Sequence, residues 1–145
     1  MQDLSTQTYV RPLVADNGSP WPASSDYISG YPQEFTDGYS TVTVDNSQND
    51  SDVFVKLFSL DTSPATPIRV FFIRARETFT VENVRAGNYD IRYRVLDSGA
   101  LSRTDLFNLE EFQTVEGARF SKVTLTLYRV SGGNMQTHAI SEAEF

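Results

Sequence analysis

The sequence predicts an all-β fold, an antiparallel β-sandwich of about eight strands behind an irregular leader. Three observations carry this. From residue 40 onward apolar and polar side chains alternate with a period of two, turn-forming residues recur at short spacing, and no segment has the 3.6-residue period of a long amphipathic helix. At 145 residues, 39% of them hydrophobic and including ten Phe and seven Tyr, the chain can fill one core.

Residues 1–38 precede that alternation and follow neither period. They hold four of the six prolines and a series of aromatics, Tyr9, Trp21, Tyr27, Tyr31 and Phe35, with Tyr39 just beyond. A disordered linker would not need so many rings. A strap packed on the sandwich, with Trp21 in a hydrophobic notch, accounts for them; an exposed aromatic ledge for a glycan, or disorder, are the alternatives.

The first strand, residues 40–45, sets Val42 and Val44 on one face. A polar turn over 46–51 then leads to residues 52–60, where Val53, Val55 and Leu57 alternate with Phe54, Lys56 and Phe58, so the pair reads as a hairpin. After the loop 62–67, residues 68–75 are almost continuously apolar, as a strand covered on both faces requires. Residues 77–81 form a short strand, and a turn over 83–88 passes through Gly87. In residues 89–95, Tyr89, Ile91, Tyr93 and Val95 share one face while Asp90, Arg92 and Arg94 share the other.

Asp97-Ser98-Gly99 is a turn, 101–109 a weaker strand, and 110–117 an ambiguous stretch compatible with a short helical turn. Residues 120–130 alternate Val123, Leu125 and Leu127 with Thr124, Thr126 and Tyr128. Ser131-Gly132-Gly133-Asn134 then reads as a hairpin turn into 135–140. The sandwich is thus expected over 39–141, with 142–145 frayed. Lys56, Arg92 and Arg94, set into strands, are expected to keep sheet edges from pairing with other molecules.

The net charge of −7 is uneven, because residues 1–50 hold seven acids against Arg11 while the remainder is close to neutral. An acidic leader on a neutral body offers no attraction to phosphate, which argues against a nucleic-acid partner. The longest apolar stretch, Val70-Phe71-Phe72-Ile73, is far short of the roughly 18 residues of a membrane span. The first residues lack the pattern of an export signal, yet the Pro/Ser/Gly-rich opening reads as a linker. The expectation is therefore a piece of a longer, membrane-tethered protein in an extracytoplasmic compartment, ahead of a cytosolic one.

No cysteine is present, so disulfides, thiolate metal sites and Cys nucleophiles are excluded. His138 is the only histidine, and a Ser-His-Asp or multi-His site within one chain would have to be built on it; a packed or solvent-facing strand histidine is the simpler reading. The loop from Asp45 to Asp52 places Asp45, Ser47 and Asn49 at the spacing of a calcium loop. Asp50 stands where the bend wants Gly, however, and Lys56 where the closing Glu belongs. Glu77, Glu82, Glu110 and Glu111 are not marked out by their neighbours. No cofactor is implied. Seven arginines between Arg69 and Arg103 could present an anion-binding face if Arg69, Arg92 and Arg94 align, cross-strand pairing with Asp90, Glu77 and Glu82 being the alternative.

The stretch Phe79-Thr80-Val81-Glu82-Asn83-Val84-Arg85-Ala86-Gly87-Asn88-Tyr89-Asp90-Ile91-Arg92-Tyr93 resembles the strand, V-x-x-G-x-Y turn and strand of carboxypeptidase-regulatory-like and PEGA-type modules. That resemblance implies a transthyretin-like or immunoglobulin-like sandwich serving as an accessory, non-enzymatic domain of bacterial exported or anchored proteins. The expected function is a structural or protein-interaction module, with protein or a second copy as partner. The alternative is a carbohydrate-binding module. The residues carrying a ligand surface would be Trp21, Tyr27, Tyr31, Arg69, Arg92 and Arg94.

Overall fold

A computed structural model describes residues 9–127 and 137–145. Among them the strands are β1 (Asp26–Tyr27), β2 (Ser40–Asp45), β3 (Val53–Ser59), β4 (Thr66–Ile73), β5 (Thr78–Val84), β6 (Gly87–Val95), β7 (Leu101–Thr104), β8 (Phe107–Leu109), β9 (Glu111–Thr114), β10 (Gly117–Phe120), β11 (Lys122–Thr126) and β12 (Thr137–Ala139). The large sheet runs β1-β4-β3-β6-β7-β12, with β8 also pairing β6. The small sheet runs β11-β2-β5, and β9 and β10 form a separate ribbon. Every pairing is antiparallel except β11 with β2. The all-β sandwich expected from the alternation is therefore present.

The core lies between the two sheets. Val53, Val55 and Leu57 of β3, Phe71 and Ile73 of β4, and Tyr89, Ile91 and Tyr93 of β6 meet Val42 and Val44 of β2, Val81 and Val84 of β5, and Leu125 of β11. Apart from β5, where a register irregularity brings Val84 to the side of Val81, each set is the apolar side of a period-two strand, so the pleat delivers these residues to one face.

The neighbours of several strands differ from the expected ones. Strands β2 and β3 do not form a hairpin, because β2 pairs with β5 and β11 while β3 pairs with β4 and β6. The loop between them crosses from one sheet to the other. It is held by buried amides: Asn46 Nδ2 donates to the carbonyls of Ser51 (3.0 Å) and Arg74 (3.1 Å), and Asn49 Nδ2 to Asn46 Oδ1 and the Leu127 carbonyl (both 2.8 Å). Likewise β11 and β12 belong to different sheets, and the turn expected at 131–134 lies outside the described residues. The stretch 110–117 is strand and tight turn, not helix. The strand expected over 101–109 is broken in two at Asp105 and Leu106. Buried Thr104 bridges the break by accepting the Ile91 amide at 3.1 Å.

Lys56, Arg92 and Arg94 do not guard edges, since β3 and β6 are interior strands. The free side of β4 is covered instead by the leader, through the β1 pairing and through Ile28 N donating to Val70 O (3.1 Å) and Glu34 N to Ile68 O (3.0 Å).

Arg69 is the largest fully buried side chain, at 1% exposure. Regular register sets it opposite Leu57, on the inward side that it shares with Phe71 and Ile73. No carboxylate pairs with it among the described residues; its guanidinium donates to four backbone carbonyls, Glu34 (3.2 Å), Phe35 (3.2 Å), Glu82 (2.9 Å) and Asn83 (3.1 Å). One side chain thus ties the leader, β4 and β5 together, and removing it strands those acceptors at the mouth of the core. Arg69→Met is expected to lower unfolding free energy by about 3 kcal/mol in urea titrations, more than volume loss alone would give.

Tyr89 begins the inner face of β6, and its hydroxyl donates to Arg85 O at 2.6 Å. Burial, seconded by the Asp61 carboxylate, pushes its phenol up to about 12 from 10.0. A raised phenol value stabilises the fold below the unfolded value, and this is lost as pH climbs through the folded one. The window is therefore about pH 10 to 12. Tyr89→Phe is expected to cost ~1 kcal/mol at neutral pH and to flatten the alkaline loss of stability.

Candidate functional site

Over 53–58 and 68–73, strands β3 and β4 are apolar on both faces except at Lys56 and Arg69. With Val53, Val55 and Leu57 directed inward, Phe54 and, opposite it, Phe72 turn to the outer side of the large sheet, as does Val70 opposite Lys56. A second cluster forms there: Ala15, Ile28, Phe54, Val70, Phe72 and Leu96 are buried, with Trp21, Tyr31 and Phe145 packed against them. Trp21 stacks on Phe72 (centroids 5.6 Å, interplanar 27°) and meets Phe54 edge-on at 5.3 Å, while its Nε1 donates to Pro12 O at 3.0 Å. The leader is therefore a strap, pinned further by Arg11 to Asp52 (2.7 Å) and Asp97 (3.1 Å).

The leader aromatics do not make a coplanar row. Trp21 and Tyr31 pack on the outer cluster, whereas Tyr27 packs on the inner core against Phe71 and Phe79, both edge-on. The geometry that a glycan ledge needs is absent from these three residues.

The other half of the outer face is basic. Cross-strand register aligns Lys56 of β3 with Arg92 of β6, Arg92 with Arg103 of β7, and Arg103 with His138 of β12; Arg94 lies one step along β6 on the same face, opposite Phe54. Arg69 is not part of this face, contrary to the alignment considered from sequence. Like charges in direct cross-strand register repel, so such a row needs compensation. Part of it comes from buried Asp90 of β6, which binds Arg92 Nε at 3.0 Å, and from Asp105 after β7, whose Oδ1 lies 2.6 Å from His138 Nε2.

The remaining compensation comes from the segment expected to fray. Residues Glu142–Glu144 form a 3-10 turn, closed by the Glu144 carboxylate accepting from the Ser141 amide (3.0 Å) and hydroxyl (3.2 Å). This turn sits over the basic row. Glu142 pairs with Arg94, Arg92 donates to Glu144 O at 2.6 Å, and Lys56 Nζ donates to Phe145 O at 2.8 Å. The Phe145 ring lies edge-on to Phe54 at 5.2 Å and under the Lys56 ammonium at 4.0 Å. Lys56 and Arg94 side chains are only 12% and 13% exposed as a result. Burial holds the Lys56 ammonium below its ordinary value, the nearby Arg94 pushes the same way, and Asp16 and Glu142 oppose them.

Sequence reasoning found Arg92 and Arg94 but missed Phe54, Glu142 and Phe145. The alternation of β3 marked Phe54 as facing away from Val53 and Val55, which was the available signal. The second group it missed is the β9–β10 ribbon. Phe112 and Val115 are exposed at 58% and 104%, and Phe120 and neighbouring Tyr39 at 40% and 53%. Among the described residues no group of three or more His, Asp or Glu side chains is placed to hold a metal. Asp45 accepts the Ser47 amide at 2.8 Å, a local turn bond.

Phe54 touches Trp21, Tyr31 and Phe145 at once. Phe54→Ala is expected to cost ~3–5 kcal/mol of stability and to shift the emission of the single tryptophan, Trp21, to longer wavelength in the native state. An unshifted emission would mean that the strap does not depend on this ring. The chain matches no protein-family model, and no similarity to curated proteins or to solved structures is found.

Proposed function

We propose that this chain is a non-enzymatic β-sandwich module that works by binding protein, with the β9–β10 ribbon as its contact arm and a second copy of the ribbon as its partner. The observation that carries the reading is the exposure of Phe112, Val115 and Phe120 on a ribbon that, among the described residues, pairs with neither sheet. Exposed apolar side chains on one element favour a protein contact. A lone two-stranded ribbon is marginal in water and gains by adding strands.

The partner follows from self-complementarity. Strands β9 and β10 run antiparallel through the two-residue loop Val115-Glu116, with Phe112 opposite Arg119 and Glu111 opposite Phe120. Two such ribbons related by a two-fold axis can pair edge to edge, each setting its apolar groups beside the other's. The ribbon holds two acids and one base, so it escapes most of the repulsion that a chain of net charge −7 brings to self-association. The likeness of residues 79–93 to carboxypeptidase-regulatory-like and PEGA-type modules supports an accessory role of this kind. It also supports placing the module on a tethered, extracytoplasmic protein.

Sedimentation velocity tests it. The wild-type chain is expected to sediment faster as concentration rises, and Val115→Asp with Phe112→Ser to remain monomeric while unfolding at an unchanged temperature. A wild-type chain that is monomeric up to ~1 mM, where even a bond of about 4 kcal/mol would register, contradicts the reading.

A further inference from the structure

The outer face poses a separate question, because the segment seated on it is bound in a way that other chains could reproduce. We propose that the basic row Lys56, Arg92, Arg94, Arg103 and His138 is a docking site for an extended acidic peptide segment bearing an aromatic side chain, and that residues 141–145 are its internal occupant, displaced when such a partner binds.

Three kinds of contact define the chemistry. Two are made to main-chain oxygens, Phe145 O by Lys56 and Glu144 O by Arg92. One is a carboxylate–guanidinium pair, Glu142 with Arg94. The last is a ring held between Phe54 and the cations of Lys56 and Arg94, whose groups lie 4.0 and 5.7 Å from its centre. Main-chain carbonyls, a carboxylate and an aromatic ring within four residues are the features of a peptide. A bare polyanion would supply only the charge.

The site is in deficit without an occupant. Asp90 is committed to Arg92 and Asp105 to His138, while Asp16 stands 3.9 Å from Lys56 with its own side chain 62% exposed. Arg94 has Glu142 as its carboxylate partner, and Arg103 faces Arg92 on one side and His138 on the other. Taking away Glu142 and Glu144 leaves aligned cations partly desolvated by the leader, a surface that favours the return of acidic groups.

The internal occupant is held lightly. None of residues Glu142–Glu144 is buried, the Glu142 side chain is 74% exposed, and the turn adds no strand to the sheet. Its advantage is its tether, which keeps it at an effective concentration that a free segment must overcome. Weakening the tail's own contacts while leaving the row intact should therefore open the site.

The test uses the full chain and a fluorescein-labelled peptide of sequence Ile-Ser-Glu-Ala-Glu-Phe, copied from residues 140–145. Fluorescence anisotropy is read for the wild type and for Glu142→Gln/Phe145→Ala, which should release the tail. The double variant is expected to bind the peptide about tenfold or more tightly than the wild type. Adding Arg94→Gln or, separately, Lys56→Met should abolish the gain, and the peptide Ile-Ser-Gln-Ala-Gln-Ala should not bind. Circular dichroism and thermal unfolding confirm that each variant is folded. Equal affinity of wild type and double variant, no binding by either, or equal binding of heparin and peptide would each overturn the proposal.

Discussion

The constraint on which the rest of this structure depends is that two adjacent strands of its large sheet, β3 and β4, are largely apolar on both sides. Val53, Val55 and Leu57 face one way and Phe54 faces the other, and β4 repeats the problem with Phe71 and Ile73 against Val70 and Phe72. Burying a side chain of this size is favourable by ~1.5–3 kcal/mol, and leaving a row of them in water forfeits that gain and invites aggregation. A sheet of this kind needs a layer on each face. The small sheet β11-β2-β5 supplies the inner layer. The outer one is made from chain with little regular structure, the leader over the apolar half and residues 141–145 over the basic half.

That arrangement explains the polar residues found inside. Arg69, Asn46, Asn49 and Thr104 are all buried, and each is engaged with backbone groups where the chain passes between sheets, leaves a strand or breaks one. Irregular covering layers leave peptide groups without ladder partners, and side chains with several donors or acceptors make up the deficit. Arg69 does this for the leader and β5 together, so one side chain fastens the strap to the sandwich.

The sequence made the faces legible and left the neighbours hidden. Alternation over 89–95 and 53–58 correctly separated inner from outer side chains, because the pleat has a period of two whatever the strand pairs with. It could not tell that β2 and β3 lie in different sheets, since a polar connection serves a hairpin and a crossing equally well. Nor could it place Arg69. A run apolar on both sides does not say which side is inner, and only the register that lays Arg69 opposite Leu57 turns its guanidinium to the core. The row from Lys56 to His138 joins residues spread over more than eighty positions and exists only through register. Residues 142–145 had no period and so read as frayed, although the charge of Glu142 and Glu144 was the counterpart of the arginines noted further up the chain.

The two covering segments should differ in permanence. The leader is hydrogen-bonded along β4 and buries Ala15 and Ile28, while the terminal turn rests on side chains at the surface. Native-state hydrogen exchange tests this most directly. The amides of Ile28 and Glu34 are expected to exchange only with global unfolding, as slowly as those of β3, and those of Glu144 and Phe145 many orders of magnitude faster. Rapid exchange at Ile28 and Glu34 under native conditions would contradict it, because the outer face of the large sheet would then stand uncovered.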